Sequence, residues 1–120
     1  MAKIRHIAVR TDNIPKLADF YMKVFGLKEV SRGEETVYLS DGYINLAILP
    51  ARGARQGIDH FGFEVDNPEA TVGSALEAGA VQGSQSLPRD GRFAEVFLRD
   101  PVGQRVDLSK QGWKTEESKK

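Results

Sequence analysis

Ile4-Arg5-His6-Ile7-Ala8-Val9-Arg10-Thr11-Asp12-Asn13 and Ile58-Asp59-His60-Phe61-Gly62-Phe63-Glu64-Val65-Asp66-Asn67 are two copies of one pattern. In each, a histidine near the start of a strand-like run is followed six residues later by Asp-Asn, then by a proline and a helical pattern. These are the only two histidines in the chain's 120 residues. Their matched positions point to a duplicated supersecondary unit and to a metal site.

Working outward from the first copy, residues 4 to 10 alternate: Arg5, Ile7 and Val9 face one way, and His6, Ala8 and Arg10 the other. Asp12 or Asn13 can cap the following helix, and Pro15 suits its first turn. Leu17, Phe20, Tyr21 and Val24 recur with helical spacing, so the aromatic face of Phe20, Tyr21 and Phe25 reads as core, and Gly26 stops the helix. Residues 30–33, 36–39 and 43–49 read as strands, the last two joined by a tight turn at Ser40-Asp41-Gly42. The unit is βαβββ.

The second copy repeats that order. A strand over 58–65 puts Phe61, Phe63 and Val65 on one face and His60, Gly62 and Glu64 on the other. Asn67 caps, Pro68 opens, Val72, Ala75 and Leu76 line a helix, and Gly79 ends it. Strands follow at 81–83, 93–99 and 105–109, with Asp100-Pro101-Val102-Gly103 forming a type I turn between the last two. Residues 50–57 have loop composition and link the units. The polar tail over 110–120 lies outside both units and reads as disordered from Thr115, with Trp113 able to pin the segment before it.

Composition sets the limits. A chain of this length buries enough surface to fold without a disulfide or structural metal, so a metal is read as functional. With 17 basic and 17 acidic residues there is no footprint of a nucleic-acid partner. The apolar runs are too short for a membrane span, and a chain without cysteine fits the cytoplasm.

The duplicated βαβββ unit, a histidine on the first strand of each copy, and the Asp-Pro-x-Gly turn running into Gln104-Arg105-Val106-Asp107-Leu108 resemble the vicinal oxygen chelate superfamily. That superfamily includes glyoxalase I, methylmalonyl-CoA epimerase, extradiol dioxygenases and the fosfomycin- and bleomycin-resistance proteins. The resemblance covers residues 3 to about 109. It implies one α+β domain over 1–120: unit one at 3–49, linker 50–57 and unit two at 58–109, their strands curled into an open, cup-shaped mixed sheet with helices outside.

Carried over residue by residue, the resemblance implies His6, His60 and Asp107 as metal ligands, with aspartate where relatives usually have glutamate. It places Asn45 at the corresponding position of unit one, where a bridging hydrogen bond or water competes with coordination. Two imidazoles and a carboxylate accept one divalent ion of Fe, Mn, Ni, Co or Zn and leave positions for a bidentate substrate. By alternation Arg10, Glu64, Arg99 and Arg105 share the cup face, each a rim salt bridge or a substrate contact, and Tyr38, Tyr43 and Phe97 have the same parity. Glu64 or the Glu34-Glu35 pair is the general-base candidate for isomerase or lyase chemistry.

The expected function is a metal-dependent enzyme that chelates a small molecule through neighbouring oxygens, dioxygenase-like or glyoxalase- and epimerase-like. A fosfomycin-type resistance enzyme and a metal-free bleomycin-type binding protein are the alternatives, and the retained ligands argue against the second. Exposed sheet edges, and the family's habit of pairing chains, lead to the expectation of a homodimer.

Overall fold

A computed structural model describes residues 1–83 and 95–116. The chain packs as two compact units that are not contiguous in sequence: His6–Asp59 with the segment from Trp113, and Met1–Arg5 with His60–Gly112.

In the first unit the order is β1 (Lys3–Thr11), α1 (Ile14–Phe25), β2 (Lys28–Arg32), β3 (Val37–Ser40) and β4 (Asn45–Pro50), with Lys3 to Arg5 of β1 grouping with the other unit. The strands lie in the order β2-β3-β4-β1. β1 runs parallel to β4 with His6 opposite Asn45, whereas β3 is antiparallel to β4 with Ser40 opposite Asn45. This register gathers His6, Ala8, Arg10, Tyr38, Ser40, Asn45 and Ala47 on one face. Val37, Leu39 and Ile48 on the other form the core with Ala18.

Asn13 is the cap of α1: its side chain accepts from the Lys16 N–H at 3.1 Å. Gly26, left-handed at φ 73°, closes the helix with its N–H on the Met22 carbonyl. The buried stripe of α1 keeps Leu17 and Tyr21 of the expected face but not Phe20, Val24 or Phe25. Ile14, Leu17, Ala18, Tyr21 and Met22 face the sheet, while Phe20, Val24 and Phe25 are 51%, 57% and 64% exposed. The small Ala18 lets the helix backbone approach the sheet closely, which turns Phe20 and Val24 away. The β3–β4 connection is also longer than the expected tight turn. Its residues 41–44 are held by Asp41 Oδ1, which accepts from the N–H groups of Tyr43 and Ile44, and these hold the Asp41 carboxyl below its ordinary pKa. Tyr43 therefore precedes β4 and is 47% exposed.

The second unit repeats βαβββ with β5 (Gly57–Glu64), α2 (Pro68–Glu77), β6 (Gln82–Gly83), β7 (Val96–Arg99) and β8 (Arg105–Ser109), in the order β5-β8-β7-β6. Of the strand expected over 93–99, positions 93 and 94 lie outside the described residues. β5 runs parallel to β8, and β7 is antiparallel to β8. The mixture of parallel and antiparallel pairs is thus the same in both copies. Val72 of α2 packs with Val65, Val96, Leu98, Val106 and Leu108. Leu76, expected in that face, is 49% exposed. At Gly83 a Cβ would come within 2.5 Å of Val72, so this close approach of strand to helix requires glycine. The expected turn is present: the Gly103 N–H bonds the Asp100 carbonyl at 2.8 Å.

Candidate metal centre

In the first unit the site begins with one amide. Asn45 opens β4 in register with His6 and is 2% exposed. Its Nδ2 donates to the Lys114 carbonyl at 2.7 Å, and its Oδ1 meets His6 Nδ1 at 3.0 Å. A backbone carbonyl only accepts, so the amide nitrogen must face Lys114 and the amide oxygen His6. That oxygen also only accepts, so the shared hydrogen belongs to His6 Nδ1. The neutral imidazole then carries its lone pair on Nε2, the form a metal ligand needs. Trp113 stacks on the ring at 4.6 Å between centroids and 5° between planes, fixing its tilt. His6 is 4% exposed.

In the second unit the site is built around a carboxylate. Asp107 is 1% exposed, between the core residues Val106 and Leu108 but on the opposite face. Arg105 holds both its oxygens, Nε to Oδ1 at 2.8 Å and Nη2 to Oδ2 at 3.1 Å. The Arg105 guanidinium in turn lies over the Phe97 ring at 5.5 Å. His60 Nε2 is 3.2 Å from Asp107 Oδ2. Burial works to raise the pKa of Asp107, but hydrogen bonds from His60, Glu95 and Arg105 outweigh it and keep the group ionised well below the usual carboxylate range. Glu95 is displaced the other way. Although the residue as a whole is exposed, crowding around its carboxyl and the adjacent Asp107 charge push it up to about 8.

His6, His60 and Asp107 are all buried, and each side chain is of a type that can bind a metal ion. The His60–Asp107 spacing suits this: two atoms each ~2.1 Å from one ion stand ~3.0 to 3.4 Å apart for right-angle to tetrahedral geometry.

Other expected site residues separate by partner. Arg10 Nε is bound to Asp59 at 3.0 Å and its Nη1 to the Pro50 carbonyl at 2.9 Å. Glu64 lies 3.5 Å from Arg5. Arg99 Nη1 donates to the Gly103 carbonyl at 3.1 Å and stands opposite Arg105 in the register, as Phe97 stands opposite Asp107. Tyr38 is half-buried on the face of Asn45. Glu34 and Glu35 are in the exposed turn between β2 and β3, with Glu35 paired to Arg52. Two participants escaped the sequence reading. Glu95 alternates with Phe97 and Arg99, and that parity was the available signal; the Lys114 carbonyl had none, being a backbone group in a polar tail.

The family model for a glyoxalase-like domain matches residues 6–109. The chain belongs to that family. It is thus a member of the vicinal oxygen chelate superfamily that its sequence resembles. A manganese-dependent 2,3-dihydroxybiphenyl 1,2-dioxygenase of Geobacillus genomosp. 3 is 33% identical over 111 residues, 86% of this chain and 35% of the dioxygenase. The chain therefore spans about a third of that relative. The metallothiol transferase FosB of Shouchella clausii (strain KSM-K16) is 28% identical over 117 residues, 88% of this chain and 77% of the transferase. Among solved structures, the 2,3-dioxygenase LapB of Pseudomonas sp. KL28 superposes with a TM-score of 0.74 at 23% identity, covering 97% of this chain and 43% of LapB. A methylmalonyl-CoA epimerase gives 0.69 at 20% identity, covering 98% and 99%. These relatives are all enzymes. Among the described residues, no helix is long and apolar enough to cross a membrane.

The tautomer of His6 is directly measurable. Long-range ¹⁵N–¹H spectra of histidine-labelled protein prepared without metal are expected to show His6 as the Nδ1–H tautomer, and Asn45→Leu should remove that preference. A parent protein with His6 in the Nε2–H form contradicts it.

Proposed function

We propose that this chain is a divalent-metal-dependent enzyme in which His6, His60 and Asp107 hold one ion. The substrate is a small molecule bound through two neighbouring oxygens. The observation that carries the reading is the arrangement of the donors: His6 with its lone pair directed to Nε2 by Asn45, and His60 Nε2 at ligand spacing from an ionised Asp107, a hydrogen bond that an ion would replace. The ion, one of Fe, Mn, Ni, Co or Zn, would supply Lewis-acid polarisation of the chelated oxygens.

The protein's own groups do the rest. Asn45 keeps the hydrogen off the coordinating nitrogen of His6 and stands behind the imidazole. Arg105 keeps Asp107 charged and in place, compensating for a side chain one methylene shorter than glutamate. Arg10, Tyr38, Tyr43, Phe97, Arg99 and Arg105 are the proposed pocket, and Glu64, on the His60 face of β5, is the proposed proton-transfer group for isomerase or lyase chemistry.

Ring-cleaving oxygenation of a catechol is the first reaction assigned, on the strength of the two-histidine, one-carboxylate donor set and the manganese-dependent dioxygenase relative. Thiol transfer to a chelated antibiotic is the second, on the strength of the FosB relative, which is matched over more of its own length. A cytoplasmic location belongs to the proposal, since a chain without cysteine gains nothing from an oxidising compartment.

Elemental analysis after anaerobic purification is expected to give one divalent ion per chain, with His6→Ala, His60→Ala or Asp107→Ala each reducing metal affinity at least about 100-fold, and Asn45→Ala about 10- to 100-fold. Oxygen uptake with catechols by the iron or manganese form supports the first reaction; loaded protein without uptake directs the assay to thiol transfer. Full metal content and affinity in His60→Ala overturns the site.

We further propose a homodimer, because among the described residues β2 and β6 end the strand order of their units, and sheet edges call for cover. Sedimentation velocity should show the dimer at micromolar concentration, and a monodisperse monomer rejects it.

A further inference from the structure

Arg10, Glu64, Arg99 and Arg105 are four of the charged side chains that alternate onto the faces carrying the donors. Three have a counter-charge, Arg10 on Asp59, Glu64 beside Arg5, and Arg105 on Asp107. Arg99 differs. Its Nη1 is bound to a neutral acceptor, the Gly103 carbonyl, and among the described residues no carboxylate stands within ion-pair distance of it. It is half-buried, so its charge is partly withdrawn from water.

Arg99 is directly opposite Arg105, and Phe97 directly opposite Asp107, so these four side chains share one face of β7 and β8. Two guanidinium groups in register repel each other. Asp107 relieves Arg105 and, among the described residues, no carboxylate relieves Arg99. The Gly103 bond meanwhile fixes the direction of the Arg99 side chain, and a guanidinium has further N–H donors in a rigid fork suited to an oxyanion.

We propose that Arg99 forms an anion subsite on the face of β7 and β8 that carries Asp107, so that the substrate carries a carboxylate or similar oxyanion in addition to the two oxygens it presents to the metal. This rests on the chelating function above and names its substrate class. Charge bookkeeping agrees. A doubly ionised chelating group neutralises a divalent ion, Arg105 neutralises Asp107, and Arg99 is left to take one further negative group.

The test uses the manganese-loaded protein under anaerobic conditions, with catechol, 3,4-dihydroxybenzoate and 3,4-dihydroxyphenylacetate titrated by calorimetry. The parent should bind at least one of the two carboxylates about 10- to 100-fold more tightly than catechol, the range for a hydrogen bond to a charged group. Arg99→Gln should bring that ratio close to one, and Arg99→Lys should restore part of it. Equal binding of catechol and both carboxylates by the parent, or a preference that survives Arg99→Gln, overturns the subsite. If catechol does not bind at all, the chelating function falls. The subsite is then read with benzoate, whose affinity must still drop about tenfold in Arg99→Gln.

Discussion

A carboxylate with 1% of its surface exposed has to be surrounded by donors or lose its charge, and Asp107 is surrounded. Arg105 takes both oxygens, His60 approaches one of them, and Glu95 adds its proton. The carboxylate owes its burial to strand alternation in β8, where the residues on either side of it, Val106 and Leu108, build the core. The same alternation that makes the unit fold therefore delivers a charged group to the opposite face. Arg105 is two positions earlier on the strand and so faces the same way, which makes the pair a local product of β8.

The two copies of the unit are not equivalent at the site. In the first, Asn45 is in register with His6 and meets the ring at Nδ1. In the second, Asp107 is in register with Gly62, two residues beyond His60, and meets that histidine at Nε2. A shift of two residues keeps the side chain on the same face but moves it from the base of the imidazole to its tip. That difference explains how a short amide in one half meets its histidine at Nδ1 while a short carboxylate in the other half meets its histidine at Nε2.

Much of this was legible in the sequence because period-two alternation and the Asn-Pro helix starts repeat in both copies. His6 stands on the face that alternation assigned, with Asn45, placed by the resemblance, in register beside it. The stripe of α1 was not legible: Phe20 and Phe25 are larger than Ala18, and size suggested burial, whereas close approach to the sheet selected the small residue. Nor was the partner of Asn45. Lys114 contributes a backbone carbonyl from a polar segment, and no side-chain pattern announces such a group. The pairing of Arg105 with Asp107 could be read as a spacing of two on one strand but not as a bidentate contact, since that depends on the rotamer which Phe97 supports.

Both halves of the duplicated sequence are proposed to serve one ion. Pulsed electron–nuclear resonance on the manganese-loaded protein counts the imidazole nitrogens bound to the metal. The account predicts two imidazoles on a single Mn²⁺, with the signal of one lost in His6→Ala and of the other lost in His60→Ala. A single imidazole per ion in the parent, or two ions per chain each with its own histidine, contradicts it.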